Sequence, residues 1–371
     1  MSNIQNIDSH IILDVAERIE RLIADARAHI GRTVNITEVV TKYEIGRIIV
    51  EVVQEGEERA TYGKQLLKGV SEMLTERLGE GWSVATLKNC RQFYQMYSVK
   101  EIGYTPSTQL PDEDSLNIVE PIQKTTTLSL KLDSAYPFTL SWSHYVVLMR
   151  IESADERKFY EIEAQKQNWS VRQLQRQYNS SLYERLALSK DKDSILRLAQ
   201  EGQTVNKPGD IIKNPLTLEF LGLKPDASYS ETKLENAIID KLQQFLLELG
   251  KGFLFEARQK RFTFDEENFY VDLVFYNRLL QCYVLIDLKV DKLAHQDLGQ
   301  MQMYVNYYDR YVKQDFEKPT IGILLCKEKK DALVELTLPK ESNIYAQQYA
   351  LYLPDKQLLQ AKLKEWIEEQ E

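Results

Sequence analysis

The sequence Phe269-Tyr-Val-Asp-Leu-Val-Phe-Tyr276, followed after a short polar turn by Cys282-Tyr-Val-Leu-Ile-Asp-Leu-Lys-Val290, decides the fold. Both stretches are rich in β-branched and aromatic residues, and Asn277, Arg278 and Gln281 lie between them. This pattern predicts two β-strands joined as a hairpin. Strands this apolar are typically buried on both faces, yet each carries charge in its middle. A bare carboxylate there costs several kcal/mol unless a partner or a metal ion neutralises it.

The charged residues of this predicted hairpin are Asp272 on the first strand and Asp287 and Lys289 on the second. Because side chains alternate along a strand, Asp287 and Lys289 point to the same face, and the hairpin can bring Asp272 to that face. Carboxylate oxygens suit Mg²⁺ or Mn²⁺, which can activate water and stabilise charge on a phosphate. A lysine there can orient the water or hold the phosphate. A structural ion pair fits the same spacing, so the spacing leaves both interpretations open.

Further segments along the chain carry a family resemblance. In the C-terminal half they are 234–250, 272–276, 287–289 and 299–301, and in the N-terminal half 43–50, 62–64 and 82–94. Together they resemble the YhcG-like family of bacterial PD-(D/E)XK nuclease-superfamily proteins, which have the restriction-endonuclease-like fold. The resemblance covers most of the chain. Two positions depart from the superfamily pattern, since Val271 replaces its proline and Asp287 its commoner glutamate.

The resemblance implies a multidomain protein. The C-terminal domain would be α/β and restriction-endonuclease-like, with a mixed central sheet flanked by helices. The N-terminal half would be mostly α-helical, winged-helix-like and DNA-binding. Proline-rich and charged stretches mark two linkers. The predicted parts are 1–104 for the helical DNA-binding region, 105–135 for a linker or long loop, 136–190 for a helical region completing the N-terminal half, 191–215 for a second linker and 216–371 for the nuclease domain.

The resemblance also implies a set of site residues. A glutamate on the first core helix often joins the superfamily's metal site, and Glu235 matches it by context, although a salt bridge at the rim of the core would explain it too. Family members have a glutamine at the position of Gln300, for which a plain surface amide is the alternative. The predicted catalytic residues are Asp272, Asp287, Lys289, Gln300 and Glu235, and the predicted ligands of Mg²⁺ or Mn²⁺ are Asp272, Asp287, the Leu288 carbonyl and Glu235.

Three groups of cationic residues are candidates for contact with nucleic acid. Two groups lie on predicted helices, one from Val84 to Tyr97 after Ser83 and one from Ser170 to about Leu186. The third group follows the first predicted strand of the C-terminal domain. A solvated surface is the alternative for each group. A net charge of −9 counts against strong nonspecific DNA binding. The candidates are Lys88 and Arg91, Arg172 and Arg176, and Arg258, Lys260 and Arg261.

Composition narrows the class of protein. Of 371 residues, 43% are hydrophobic and 28% charged, which is ordinary globular material. The three cysteines lie far apart and form neither a disulfide framework nor a zinc site. With no apolar signal core and no membrane-length apolar run, we expect a cytoplasmic protein that has no membrane partner. The absence of a glycine-rich Lys-Ser/Thr phosphate loop predicts no nucleotide cofactor.

These observations predict a Mg²⁺-dependent endonuclease that hydrolyses phosphodiester bonds in DNA, in a restriction, recombination or repair-like role. RNA is left open as a substrate, and so is a homodimer, because one active site cuts one strand. The alternative is a catalytically silent DNA-binding or scaffold protein that retains the nuclease fold. The acidic net charge favours that alternative, and the complete set of two aspartates, lysine and glutamine opposes it.

Overall fold

A computed structural model of the protein describes residues 34–51, 59–98, 137–188, 192–213, 215–224, 229–329, 331–339 and 342–369. The chain divides into two compact units, Met1–Arg157 and Lys158–Glu371. The apolar period of residues 8–30 predicts a helix, but this segment and the linker expected over 105–135 lie outside the described residues. None of the described helices has the length and apolar character needed to cross a bilayer.

The first unit is helical wherever the structure describes regular elements. The hydroxyl of Ser83 accepts the Thr86 amide (3.2 Å) and so caps the helix predicted from Val84 to Tyr97. A winged helix needs a small β-wing, and the described part of this unit contains no β-strand. The helices are α1 (34–51), α2 (Arg59–Leu78), α3 (Val84–Tyr97) and α4 (Trp142–Leu148), and α5 (Ala154–Lys166) crosses the boundary between the units.

The second unit has shorter helices than the sequence predicts. One helix was expected from Ser170 to Leu186, but Ser181 adopts a left-handed conformation (φ 54°) and separates two helices. The capping box that begins at Ser228 and the apolar stripe after it predict one helix to Gly250, but Lys241 separates two helices there. The helices are α6 (Val171–Asn179), α7 (Leu182–Ala187), α8 (Lys192–Glu201), α9 (Glu231–Asp240), α10 (Leu242–Leu249), α11 (His295–Tyr307), α12 (Asp331–Thr337) and α13 (Lys356–Glu369), with a π-helical turn at Tyr308–Val312 after α11.

A mixed six-stranded sheet forms the centre of this unit, as expected. Its spatial order is β1-β6-β5-β4-β3-β2. The strands β2, β3 and β4 pair antiparallel, whereas β4, β5, β6 and β1 pair in parallel. The expected hairpin is the β3–β4 pair. The strands are β1 (Leu216–Thr217), β2 (Phe253–Phe264), β3 (Glu267–Asn277), β4 (Cys282–Lys292), β5 (Ile321–Glu328) and β6 (Ile344–Ala350).

Helices cover both faces of the sheet, and β4 is buried between them. Ile286 and Leu288 belong to the core that includes α9 and α10. Leu285 belongs to the core that includes α11. Because side chains alternate along a strand, Asp287 and Lys289 share the face of Leu285, towards α11. The burial of β4 on both faces explains why its sequence is an almost continuous apolar run.

A buried ion-pair network joins α6 and α7 to the sheet domain. Glu248 on α10 contacts Arg185 at 2.5 Å and Arg176 at 2.8 Å, and Arg176 also contacts Glu219 at 3.0 Å. These contacts lie within the second unit, which begins at Lys158, before the linker expected over 191–215. They also correct the expectation for Arg176, because its guanidinium is held by two carboxylates inside the protein and does not face a phosphate.

Candidate active site

The β3–β4 hairpin places the two expected aspartates at the point where its strands part. Backbone pairing runs from Asn277 and Cys282 to Leu273 and Ile286. Beyond that point the amide of Leu288 donates to Oδ2 of Asp272 at 2.8 Å. An amide that donates to a side chain does not take part in the backbone pairing of the two strands. This bond therefore holds the Asp272 carboxylate against β4, beside Asp287.

Asp287 and Lys289 lie together on the same face of β4, as their spacing predicts. The Lys289 ammonium is 2.8 Å from Oδ2 of Asp287 and 3.8 Å from the carboxylate of Glu231, at the start of α9. Only 4% of Asp287 is exposed. A buried carboxylate with a single ammonium partner creates a strong local electric field. Such pairs occur both in structural ion-pair networks and in catalytic sites.

The charges around Asp287 are unbalanced. Burial and the neighbouring Asp272 carboxylate together raise the pKa of Asp287 to about 6, against the opposing effect of the Lys289 ammonium. Burial lowers the pKa of Lys289, but the charge and hydrogen bond of Asp287, together with the charges of Glu231 and Asp297, outweigh burial and the net pKa is raised. Burial, with help from Asp272, also raises the pKa of Glu231. Excess negative charge in a buried place is what a bound cation relieves.

Glu235 reaches the same place from α9. Its Oε1 atom lies 2.7 Å from the Arg258 guanidinium, and its Oε2 atom accepts from the Gln259 amide at 2.5 Å. The same Gln259 nitrogen donates to Oδ1 of Asp272 at 2.9 Å. One amide group therefore links the helix glutamate to the first aspartate, and Glu235 is part of the cluster as well as the partner of Arg258.

Gln259, like Glu231, is a member of this cluster that the sequence analysis missed. It lies on β2 between two residues paired with β3, since Arg258 pairs with Leu273 and Lys260 with Val271. Its φ of 45° is unusual for a residue other than glycine. Such conformations cluster at ligand sites, where surrounding contacts hold them. Nothing in the sequence distinguishes this glutamine from other polar residues of β2, so its role is visible only in three dimensions.

Gln300 is exposed on α11, on the side of the sheet that Asp287 faces. Its amide nitrogen donates to the Tyr304 hydroxyl at 2.5 Å. Burial raises the pKa of Tyr304, and the charge of Asp287 raises it further. Tyr304 is buried, as core packing predicts, and its hydroxyl connects the expected glutamine to the electrostatic field of the aspartates.

The expected nucleic-acid contacts are spread over both units. Arg258, Lys260 and Arg261 were expected after the first strand, but they lie within β2, which continues to Phe264. The guanidinium of Arg261 donates to Asn268 at 3.0 Å, and the Lys260 ammonium is 3.6 Å from Glu256. Exposed pairs of this kind are weak and can exchange for a phosphate. Lys88 and Arg172 are exposed on α3 and α6, and Arg91 is half-buried on α3.

The residues present fit a hard divalent cation. Asp272 and Asp287 offer carboxylate oxygens, the Leu288 carbonyl is adjacent, and such oxygens are the ligands that Mg²⁺ and Mn²⁺ prefer. Four carboxylates, those of Asp272, Asp287, Glu231 and Glu235, face two cationic side chains, those of Lys289 and Arg258. The described residues contain no group of three acidic, histidine or cysteine side chains already arranged to hold a metal ion. The Gln259 amide lies between Glu235 and Asp272.

The sequence matches known protein families over most of its length. Residues 209–364 match the YhcG PDDEXK nuclease domain, and residues 18–185 match the DUF1016 N-terminal domain. The chain is 40% identical over 356 residues to the Escherichia coli (strain K12) protein named "Putative nuclease YhcG", covering 94% of this chain and 92% of that protein.

Two solved structures also align with part of the chain. A repair endonuclease from Pyrococcus abyssi aligns over 35% of this chain and 50% of its own, at 18% identity and a TM-score of 0.23. An EndoMS complex with double-stranded DNA aligns over 36% and 50%, at 14% identity and a TM-score of 0.25. Those scores are too low to support a structural argument, so family membership rests on the sequence. The chain belongs to the YhcG family, with a PDDEXK nuclease domain in its C-terminal half.

Proposed function

We propose that this protein is a divalent-metal-dependent endonuclease that hydrolyses phosphodiester bonds in DNA. The observation that carries the proposal is the meeting of Asp272, Asp287 and Lys289 where β3 and β4 part, with Asp287 buried. A structural ion pair would need one carboxylate for Lys289. Here Asp272, Glu231 and Glu235 crowd the same place, and their excess negative charge supports a site that takes up a cation.

Each residue of the cluster has a distinct role in the proposed mechanism. Asp272, Asp287 and the Leu288 carbonyl would hold Mg²⁺ or Mn²⁺, with Glu235 as a further ligand. When bound, that ion would activate a water molecule and neutralise charge on the phosphate. The Lys289 ammonium would orient the attacking water and donate to a phosphate oxygen as negative charge develops. As water oxygen bonds to phosphorus, the bond to the leaving sugar oxygen breaks.

Residues around the acidic cluster would position the substrate. The Gln300 amide, held by Tyr304, would donate to the scissile phosphate. Arg258, Lys260 and Arg261 are exposed on β2 and would exchange their present partners for backbone phosphates. Lys88, Arg91 and Arg172 would extend phosphate contact on the helical part of the chain. We propose DNA as the substrate, and cleavage of a panel of DNA and RNA substrates decides between DNA and RNA. The active form is one copy of the chain or two.

The first test is cleavage of labelled DNA and RNA by the full-length protein with Mn²⁺ or Mg²⁺, with Asp287→Asn beside it. Asparagine keeps the shape of the side chain but removes the charge that a metal ion needs. We expect cleavage of DNA by the wild type and a loss of at least about a hundredfold in the variant. Equal rates in both proteins would mean that cleavage does not come from this site.

Gln259 gives a second, independent prediction. Its amide donates to two carboxylates that a metal ion would contact, so those bonds must break before Glu235 and Asp272 can share one ion. Hydrogen bonds to charged groups contribute about 1.5–3 kcal/mol each, and about 1.4 kcal/mol is tenfold in affinity. We therefore expect Gln259→Ala to bind Mn²⁺ about tenfold more tightly than the wild type, measured by calorimetry without substrate.

The matched control for that measurement is Gln281→Ala. Gln281 is also an exposed glutamine with a positive φ (54°), but it lies in the β3–β4 turn at the other end of the hairpin. It reports on the loss of an exposed glutamine side chain at a positive φ, away from the acids. Weaker metal binding in Gln259→Ala would instead make Gln259 a residue that positions the acids for the ion.

A catalytically silent scaffold is the second candidate, and one observation favours it. The Arg258 guanidinium and the Gln259 amide already contact the two carboxylate oxygens of Glu235 without any ion, as expected of a site that no longer binds metal. Calorimetry separates the two functions. A nuclease binds Mn²⁺ at a site that disappears in Asp287→Asn, whereas a scaffold shows no such site and the variant mainly loses stability.

A further inference from the structure

An aromatic cleft lies next to the candidate active site in the same unit. It has a volume of about 320 Å³ and is formed by the end of β2, by α11 and by the π-helical turn. The rings of Phe264 and Tyr311 line it and are 51% and 63% exposed. Large exposed rings of this kind are more typical of binding sites than of ordinary surface. Neither ring has a role in the proposed hydrolysis.

The geometry of these two rings suits a planar ligand. Their centroids are 6.4 Å apart, and the planes are tilted by 38°. A flat ring stacked between two others needs a gap of about 3.4 Å on each side, or about 6.8 Å between the two outer rings. The observed 6.4 Å is close to this value, so a small movement of Phe264 and Tyr311 would admit one ring. The deeper wall of the cleft is already filled, because Phe262 stacks on Tyr307 with centroids 4.1 Å apart. The position open to a ligand ring is therefore between Phe264 and Tyr311.

Polar groups in the cleft match a nucleotide. The exposed Arg310 lies in its lining, between the rings of Tyr307 and Tyr311 along the chain. Arg310 offers a cation for a phosphate, and Gln302 and Asn306 offer amide groups for base edges. The π-helical turn that presents Arg310 and Tyr311 is closed by a bond from the Lys313 amide to the Tyr308 carbonyl (2.9 Å). Single π-turns of this kind frequently occur at functional sites.

Side-chain packing connects the cleft to the candidate active site. Gln300 donates to the Tyr304 hydroxyl, and the Tyr304 ring packs edge-on against Phe262, with centroids 5.5 Å apart. Along α11, Gln300 and Tyr307 are separated by about 10 Å at about 1.5 Å per residue. A single strand of a few nucleotides can therefore reach both places.

We propose that Phe264 and Tyr311 stack on an unpaired base of single-stranded DNA a few nucleotides from the bond to be cut. This inference rests on the proposed function and names its substrate class as DNA with unpaired bases. A base inside a duplex is already stacked on both sides and cannot enter the cleft. The protein would therefore favour single strands, overhangs or branched DNA over uninterrupted duplex.

The test is binding of oligonucleotides by the full-length protein in EDTA, which prevents cutting. A single strand that contains 2-aminopurine reports stacking, because its fluorescence is quenched by a neighbouring aromatic ring. We expect quenching by the wild type, about tenfold weaker binding and lost quenching in Tyr311→Ala, and recovery in Tyr311→Phe. Duplex binding should change less than about twofold. Thermal melting checks that the variants are folded.

Phe316→Ala is the matched control, because Phe316 is 71% exposed in the same unit but does not line the cleft. Equal loss in Phe316→Ala, equal loss on duplex, or no loss in Tyr311→Ala overturns the inference. Quenching with RNA and not with DNA overturns the assignment to DNA. A wild-type dimer that Tyr311→Ala dissociates without change in DNA binding makes the cleft a subunit contact instead.

The two proposals fail in different ways. A protein that cuts duplex DNA, with full activity in Tyr311→Ala, keeps the nuclease function and refutes the stacking site. A protein that binds single strands through Tyr311 but never cuts them with Mn²⁺ keeps the stacking site and refutes the nuclease function.

Discussion

Replacing Lys289 with methionine should lower the rate of DNA cleavage about a thousandfold while the protein stays folded and still binds Mn²⁺. Methionine keeps most of the length of the side chain but cannot donate a hydrogen bond or carry charge. In the proposed mechanism the ammonium acts on the attacking water and on the charge that develops at the phosphate. Loss of one such preorganised donor typically costs a hundredfold to about a thousandfold in turnover. Single-turnover cleavage rates measure the effect.

Metal affinity separates this effect from damage to the site. Lys289 lies 2.8 Å from Asp287, so its removal takes a positive charge away from the proposed ligands. Mn²⁺ binding should be unchanged or tighter in Lys289→Met, in contrast to Asp287→Asn, which should lose it. A variant that loses both cleavage and metal binding would indicate that Lys289 acts by holding the site together.

The control on the same strand is Lys292→Met. Lys292 is 70% exposed at the end of β4, where it pairs with Glu328 at 3.3 Å. An exposed pair of this kind contributes little, so the variant should keep the stability and cleavage rate of the wild type. A similar loss in both lysine variants would point to the overall charge of the protein and away from the position of Lys289.

The sequence predicts the hairpin and the cluster of Asp272, Asp287 and Lys289 because those features are local. A buried strand is an apolar run, and side-chain alternation then determines which face a charge takes. Gln300 was identified by family resemblance. Its contact with Tyr304 is also local, since residues four apart meet on a helix. This part of the site needs no knowledge of how distant segments pack.

Long-range packing decides what the sequence could not predict. Arg176 was expected at a phosphate because its helix carries several polar residues. Its partner Glu248 lies far along the chain, and only the packing of α6 on α10 brings them together. Gln259 was missed for a related reason, because its bonds join residues of α9, β2 and β3. The break at Ser181 also depends on tertiary contacts, since the flanking sequence has no glycine or proline.

Glu248→Gln should destabilise the fold more than any other single change considered above. Glu248 is fully buried and accepts hydrogen bonds from Arg185, Arg176 and the Thr217 amide. Glutamine keeps the shape but leaves two guanidinium groups without their shared countercharge. Removal of one partner from a buried ion pair typically costs about 3–5 kcal/mol. We expect the melting temperature to fall by roughly 10 °C.

Acid unfolding should show the same network in the wild type. Burial would raise the pKa of Glu248, but Arg185, Lys213 and Arg176 together lower it from 4.5 to about 2. Because the folded protein has the lower pKa, this carboxylate stabilises the fold above about pH 4.5 and loses that contribution as the pH falls towards 2. The shift corresponds to about 3 kcal/mol. Glu248→Gln should lack this part of the acid dependence.

Glu219→Gln is the comparison that makes the result specific. Glu219 shares Arg176 with Glu248, but its side chain is 19% exposed and contacts only one end of the network. We expect a loss of about 1 kcal/mol, because water can solvate what the substitution leaves unpaired. Equal losses in both variants would mean that the network contributes through Arg176 alone. A larger loss in Glu248→Gln would show that Arg185 and Arg176 together attach α6 and α7 to the nuclease domain, a structural use of the arginine that the sequence had suggested for DNA.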